Sequence, residues 1–176
     1  MGRPNVEIGR EFFPHLPATT RDTIFERKEA IYRRIVGHVA PMAGAVALLD
    51  WADASGVRLG VVTNAPRENA NMILKGAGLF ERFATIVCGQ ELEHGKPHPM
   101  AYLKGLSDLG GDAACSLAFE DSPAGMASAI GAGMPVIGMT TNLSADVVRK
   151  AGASLAAPDF TDAALLAFVR QRTGRG

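Results

Sequence analysis

From Ala45 onward the chain is paced by five short apolar, β-rich runs: Val57–Thr63, Thr85–Cys88, Cys115–Glu120, Pro135–Met139 and Ser154–Ala156. Helical patterns separate them. Strands joined through helices run parallel, so the alternation predicts one parallel sheet with helices on both faces, an α/β core spanning residues 41–176. Before it, Val6 to Val39 reads as helix only, with Thr19 or Thr20 as a start signal and Ile24, Phe25, Ile31, Tyr32, Ile35 and Val36 as an apolar stripe. Gly37 to Gly44, containing Pro41, reads as the hinge between this N-terminal part, residues 1–40, and the core.

Three of the strand-to-helix corners carry chemistry. In Ala118-Phe119-Glu120-Asp121-Ser122-Pro123 two adjacent carboxylates stand where an apolar strand ends, and Pro123 suits the first turn of a helix. Open α/β sheets place ligands at that edge, and paired carboxylates there hold cations; the plainer alternative is that Asp121 or Ser122 caps the helix. At Thr63-Asn64-Ala65-Pro66 a hydroxyl, an amide and the free N–H groups of a helix start make an anion cradle suited to phosphate. After Thr85–Cys88, the loop to the next helix pins Lys96 between Gly95 and Pro97, where an ordinary solvated lysine is the alternative.

Taken together, Thr63-Asn64, Lys96 in Gly-Lys-Pro-x-Pro, and Glu120-Asp121-Ser-x-Ala-Gly, each after an apolar strand, resemble the last three motifs of the haloacid dehalogenase-like (HAD) phosphohydrolases. The resemblance covers nearly the whole chain and points to the helical-cap subfamily, in its β-phosphoglucomutase and sugar-phosphate phosphatase branch. It implies a Rossmann-like core with a partial helical cap over residues 1–40. It further implies that Thr63 and Asn64 hydrogen-bond the transferring phosphoryl oxygens, that Lys96 neutralises their charge, and that Asp121 with Glu120 holds Mg²⁺. In the cap, Arg3 and Lys28 match positions that hold the remote end of the substrate in mutase-like relatives. For Arg27, Arg33 and Arg34 a solvated helix face is expected instead, with Glu29 and Arg33 paired at i,i+4.

The implied activity is a Mg²⁺-dependent phosphatase acting on a small phosphorylated metabolite such as a sugar phosphate or phosphoglycolate. The alternatives are a phosphomutase of the β-phosphoglucomutase type and a non-catalytic phosphate-binding protein. One departure matters. Family members open with a strand ending in Asp-x-Asp-x-Thr, whose first Asp is the nucleophile, and no such motif occurs in this sequence; Asp50 and Asp53 have the wrong spacing and lie on a helical pattern. The chain therefore resembles a member without its central first strand, and is expected to be nearly inactive alone. The two flanking strands are expected to pair directly, to take a strand from a second copy by self-association through the exposed edges, or to receive one from residues outside this sequence.

Bulk properties narrow the partners. Eighteen basic and eighteen acidic residues cancel, which argues against nucleic acid or an anionic membrane surface as partner. No apolar run reaches a membrane span and no secretory signal is visible, so a cytoplasmic location is expected. Cys88 and Cys115 sit in apolar runs and are expected to be buried free thiols. His15, His38, His94 and His98 lack ligand spacing for zinc.

Overall fold

Parallel strands in two groups, rather than one continuous sheet, organise the chain. The structure, a computed structural model, describes residues 5–37 and 39–173; Arg3 and His38 lie outside them. Two helices come first, α1 (Asn5–Phe12) and α2 (Ala18–Ile35), joined by a turn in which Arg21 donates to the Phe13 and Leu16 carbonyls. Then follow α3 (Ala45–Ala54), β1 (Gly60–Thr63), α4 (Arg67–Gly76), β2 (Thr85–Cys88), α5 (Met100–Leu109), β3 (Ala118–Glu120) and α6 (Pro123–Gly131). The chain closes with β4 (Val136–Met139), α7 (Ala145–Lys150), β5 (Leu155–Ala157) and α8 (Ala163–Thr173).

β1 pairs with β2 in parallel, Val61 opposite Ile86, while β3, β4 and β5 form a second parallel sheet in that order. The strands flanking the expected central position thus do not pair directly. They belong to separate sheets, and α5 spans the join by packing on β1, β2 and α6. Val62 of β1 packs into the same apolar cluster as Ala118 of β3, Met126 of α6 and Val136 of β4.

β4 shows why this arrangement needs helices on both faces. Successive side chains of a strand point to opposite faces. Val136 joins Tyr102, Met126 and Val148 on one side, and Ile137 and Met139 join Leu165 and Val169 of α8 on the other, where Trp51 of α3 and Phe119 also pack. All four residues of β4 are buried, as an interior parallel strand requires.

Several strands begin later than the apolar runs suggest. The Val57 N–H turns back to the Ala52 carbonyl and closes the end of α3, so pairing starts only at Gly60. Asp112 accepts from the Ala114 N–H and starts a short 3-10 turn over Ala113–Cys115. That turn lifts Cys115 out of the sheet and leaves it exposed, contrary to expectation, while Cys88 is buried as expected. The stripe on α2 is likewise not a buried face, since Ile24, Ile31, Tyr32 and Ile35 are all exposed. Asp50 and Asp53 do lie on an open helix face, and both pair with Arg82.

Gly138 offers a direct check on the packing. A Cβ there would stand 2.1 Å from Val148 Cγ1 and 3.2 Å from Met126 Sδ. Gly138→Ala is expected to lower stability by about 1–3 kcal/mol, read from urea unfolding, as overpacking of a filled core does; an unchanged midpoint would contradict the placement of α6 and α7 on this face.

Candidate functional site

The ends of β1 and β3 meet at one side chain. Lys96 lies in the loop after β2, and its Nζ donates to the Val62 carbonyl of β1 at 3.0 Å and to Glu120 Oε1 of β3 at 2.5 Å. Both partners are nearly enclosed, with side chains 8% and 5% exposed. Lys96 is therefore not the solvated lysine that its loop position allowed. Glu120 Oε1 also accepts the Tyr102 hydroxyl at 2.6 Å. Burial, and then the Glu120 charge, push the Tyr102 phenol far above its ordinary range, so it stays a donor.

Asn64 fixes the loop that delivers Lys96. Its Nδ2 donates to the Lys96 carbonyl and its Oδ1 accepts the Lys96 N–H, both at 3.0 Å, a reciprocal pair that copies a strand ladder. Two glycines make room. A Cβ at Gly89 would come within 2.3 Å of Asn64 Oδ1, and one at Gly95 within 2.9 Å. Next to Asn64, the half-buried Thr63 accepts the Ala65 N–H at its Oγ1 at 3.0 Å, which turns the chain from β1 toward α4.

At β3 the capping alternative falls to Ser122 alone, whose Oγ accepts the Gly125 N–H at 3.1 Å with Pro123 in the first turn. Asp121 is exposed beside it. Gly125 is required here for a different reason: a Cβ would fall 1.9 Å from Glu120 Oε2. The structure thus gathers Asn64, Lys96 and Glu120 through direct contacts, with Thr63 and Asp121 adjoining them in the chain at the ends of β1 and β3.

Could this group hold a divalent cation? Mg²⁺ keeps several waters and takes only one or two carboxylates, with substrate oxygens completing the shell. The carboxylates at the end of β3 fit that modest demand, since Glu120 Oε2 and Asp121 are not engaged in the Lys96 and Tyr102 bonds. Among the described residues no group of three or more His, Cys, Asp or Glu forms a fuller cage.

Over these loops stands the α1–α2 hairpin, leaving a cleft of about 1030 Å³ lined by Asn5, Phe25, Glu29, Pro66, Gly95 and His98 among others. Lys28 is half exposed and engaged with Asn5 and Glu29, both of which line the cleft. Glu29 and Arg33 do not form the simple helix pair expected of them; they meet through Asn69 of α4. Cys88, close to β1, is no nucleophile candidate, because burial pushes its thiol upward. Tyr102 and Asn69 carry no assignment in the sequence, and Glu29 is expected there only to pair with Arg33. A tyrosine on an apolar helix was the faint signal for the first, and no local signal marks the other two.

The haloacid dehalogenase-like hydrolase family matches residues 1–139, and the chain belongs to it. It is 36% identical over 140 residues to a phosphoglycolate phosphatase of Rhodospirillum rubrum, covering 75% of this chain and 58% of that protein. Over 106 residues it is 42% identical to the CbbY protein of Rhodobacter capsulatus, covering 57% and 46%. A β-phosphoglucomutase structure from Clostridium difficile superposes with a TM-score of 0.85 over 98% of this chain and 78% of that one, at 17% identity, a likeness of fold. The chain spans about half the length of the curated relatives it matches. No helix among the described residues is long and apolar enough to cross a membrane.

Tyr102→Phe removes one donor from a buried carboxylate and is expected to cost about 1.5–3 kcal/mol, while Lys96→Met, which strands that charge, is expected to cost about 3–5 kcal/mol. Urea unfolding of both variants measures the order; equal and negligible losses would contradict the buried pair.

Proposed function

We propose that this chain carries the phosphate- and Mg²⁺-binding part of a helical-cap phosphatase site for a small phosphorylated metabolite, a sugar phosphate or phosphoglycolate. The observation that supports it best is Lys96, held by both sheets with two of its three N–H groups accounted for, so that one remains to meet a phosphoryl oxygen. The relatives named phosphoglycolate phosphatase and CbbY agree with that class. In this reading the Thr63 hydroxyl and Asn64 orient the phosphoryl group, and Lys96 balances its charge. Asp121 with Glu120 holds Mg²⁺, which when bound would neutralise charge building on the phosphoryl oxygens. Residues 1–40 form the cap, with Arg3 and Lys28 toward the remote end of the substrate, and the location is cytoplasmic.

These residues bind and position. None of them is an attacking carboxylate, and a phosphate-binding protein without turnover is the second reading. The edges of β1 and β3 remain the place where self-association would occur.

Calorimetry with inorganic phosphate and Mg²⁺ tests the binding reading. Thr63→Val is expected to weaken phosphate, and Asp121→Asn to weaken Mg²⁺, each by about tenfold, the worth of one charge-assisted contact. Affinities equal to the parent in both variants would overturn it. Hydrolysis of phosphorylated metabolites by the purified chain should stay near background; sustained turnover undiminished by Lys96→Ala would contradict the assigned roles.

A further inference from the structure

The α1–α2 hairpin stands on the core through a charge. Of the eighteen residues of α2 the only buried one is Glu29, and α1 buries only Gly9. Of their large apolar residues, Val6, Phe12, Ile24, Ile31 and Ile35 are 36–73% exposed while Ile8 and Phe25 are half-buried, and neither apolar cluster of the core includes a residue from α1 or α2. A hydrophobic seam does not set the position of this hairpin.

The Glu29 carboxylate instead receives donors from three helices. Asn5 of α1 donates to Oε1 at 2.8 Å and Asn69 of α4 to Oε2 at 2.6 Å, with Lys28 of α2 paired at 2.6 Å. Arg33, one turn further along α2, donates to Asn69 Oδ1 at 2.8 Å. Arginine has no acceptor, so the Asn69 oxygen must face it and the amide N–H₂ must face Glu29. Asn69 itself is buried in the first turn of α4, the helix that starts from the Thr63–Pro66 corner.

We propose that Glu29 is a positioning residue: its carboxylate, read by Asn69, fixes the hairpin over the start of α4 and so sets the width of the cleft between them. A buried carboxylate that loses a donor keeps its desolvation cost, which makes this arrangement steep rather than tolerant. The inference stands apart from the phosphatase reading, because its test needs neither substrate nor metal.

Hydrogen exchange of the intact chain, followed by mass spectrometry, reads hairpin opening against the core. Glu29→Gln keeps the shape and removes the charge; amides of α1 and α2 should exchange about tenfold faster while those of β4 and α6 hold their rates. Asn69→Asp sets two carboxylates face to face and should do the same. The combined variant Glu29→Gln/Asn69→Asp restores a donor facing an acceptor, and should return protection to within about threefold of the parent, a rescue that simple loss of packing would not give. Single variants within about twofold of the parent, or a double variant no better than Asn69→Asp, would overturn the proposal. Should Asn69→Asp lose protection in β4 as well, Asn5→Ala decides: faster exchange confined to α1 and α2 upholds the role of Glu29, and unchanged exchange refutes it.

Discussion

A single buried ion pair joins what backbone hydrogen bonding leaves apart. The β1–β2 ribbon and the β3–β4–β5 sheet share no ladder, yet the Lys96 ammonium touches a main-chain carbonyl of one and a carboxylate of the other. Buried pairs of this kind are poor sources of net stability, because desolvation consumes most of the attraction, but they penalise any arrangement that parts them. Here that penalty fixes the relative position of two strand ends. The Asn64 bonds to the Lys96 backbone, the Tyr102 bond to Glu120, and the bare α-carbons of Gly89, Gly95 and Gly125 all serve the same pair.

Two different adhesives hold the molecule. The core relies on area: Val136, Ile137 and Met139 are at most 4% exposed and packed from both faces. The hairpin relies on a few directional contacts converging on Glu29. Apolar burial is tolerant of small shifts, whereas hydrogen bonds to a charge are short-ranged and fail over fractions of an ångström. A unit attached in the second way can move as a body once a few bonds break, without exposing a hydrophobic core.

What the sequence made legible follows the same division. The corners at Thr63, Lys96 and Glu120 could be read because strand ends are local events: an apolar run, a stop and a helix start lie within about ten residues, and parallel topology brings such ends to one edge. Contacts across the fold left no such trace. Glu29 and Asn69 are 40 residues apart, and in isolation each looks like an ordinary polar helix residue. The apolar stripe on α2 stays largely open, because a 3.6-residue period reports that a face exists, not that a partner covers it. Cys115 failed because one Asp112 side chain turned a β-rich run into a 3-10 turn. The split into two sheets was hidden for a related reason: alternation announces parallel strands but does not say which of them touch.

The capping of α6 by Ser122 separates two duties that a neighbouring acid could have combined. Glu120 is enclosed and bound on one oxygen by a lysine and a tyrosine, whereas Asp121, relieved of the cap and open to water, holds up nothing in the fold. Adjacent carboxylates in one motif therefore meet unlike structural demands. A change at 120 strands the buried Lys96 ammonium and costs folding stability, whereas a change at 121 leaves the Lys96–Glu120–Tyr102 bonds as they are. The fold's demand for a carboxylate thereby ends on one side of a single peptide bond.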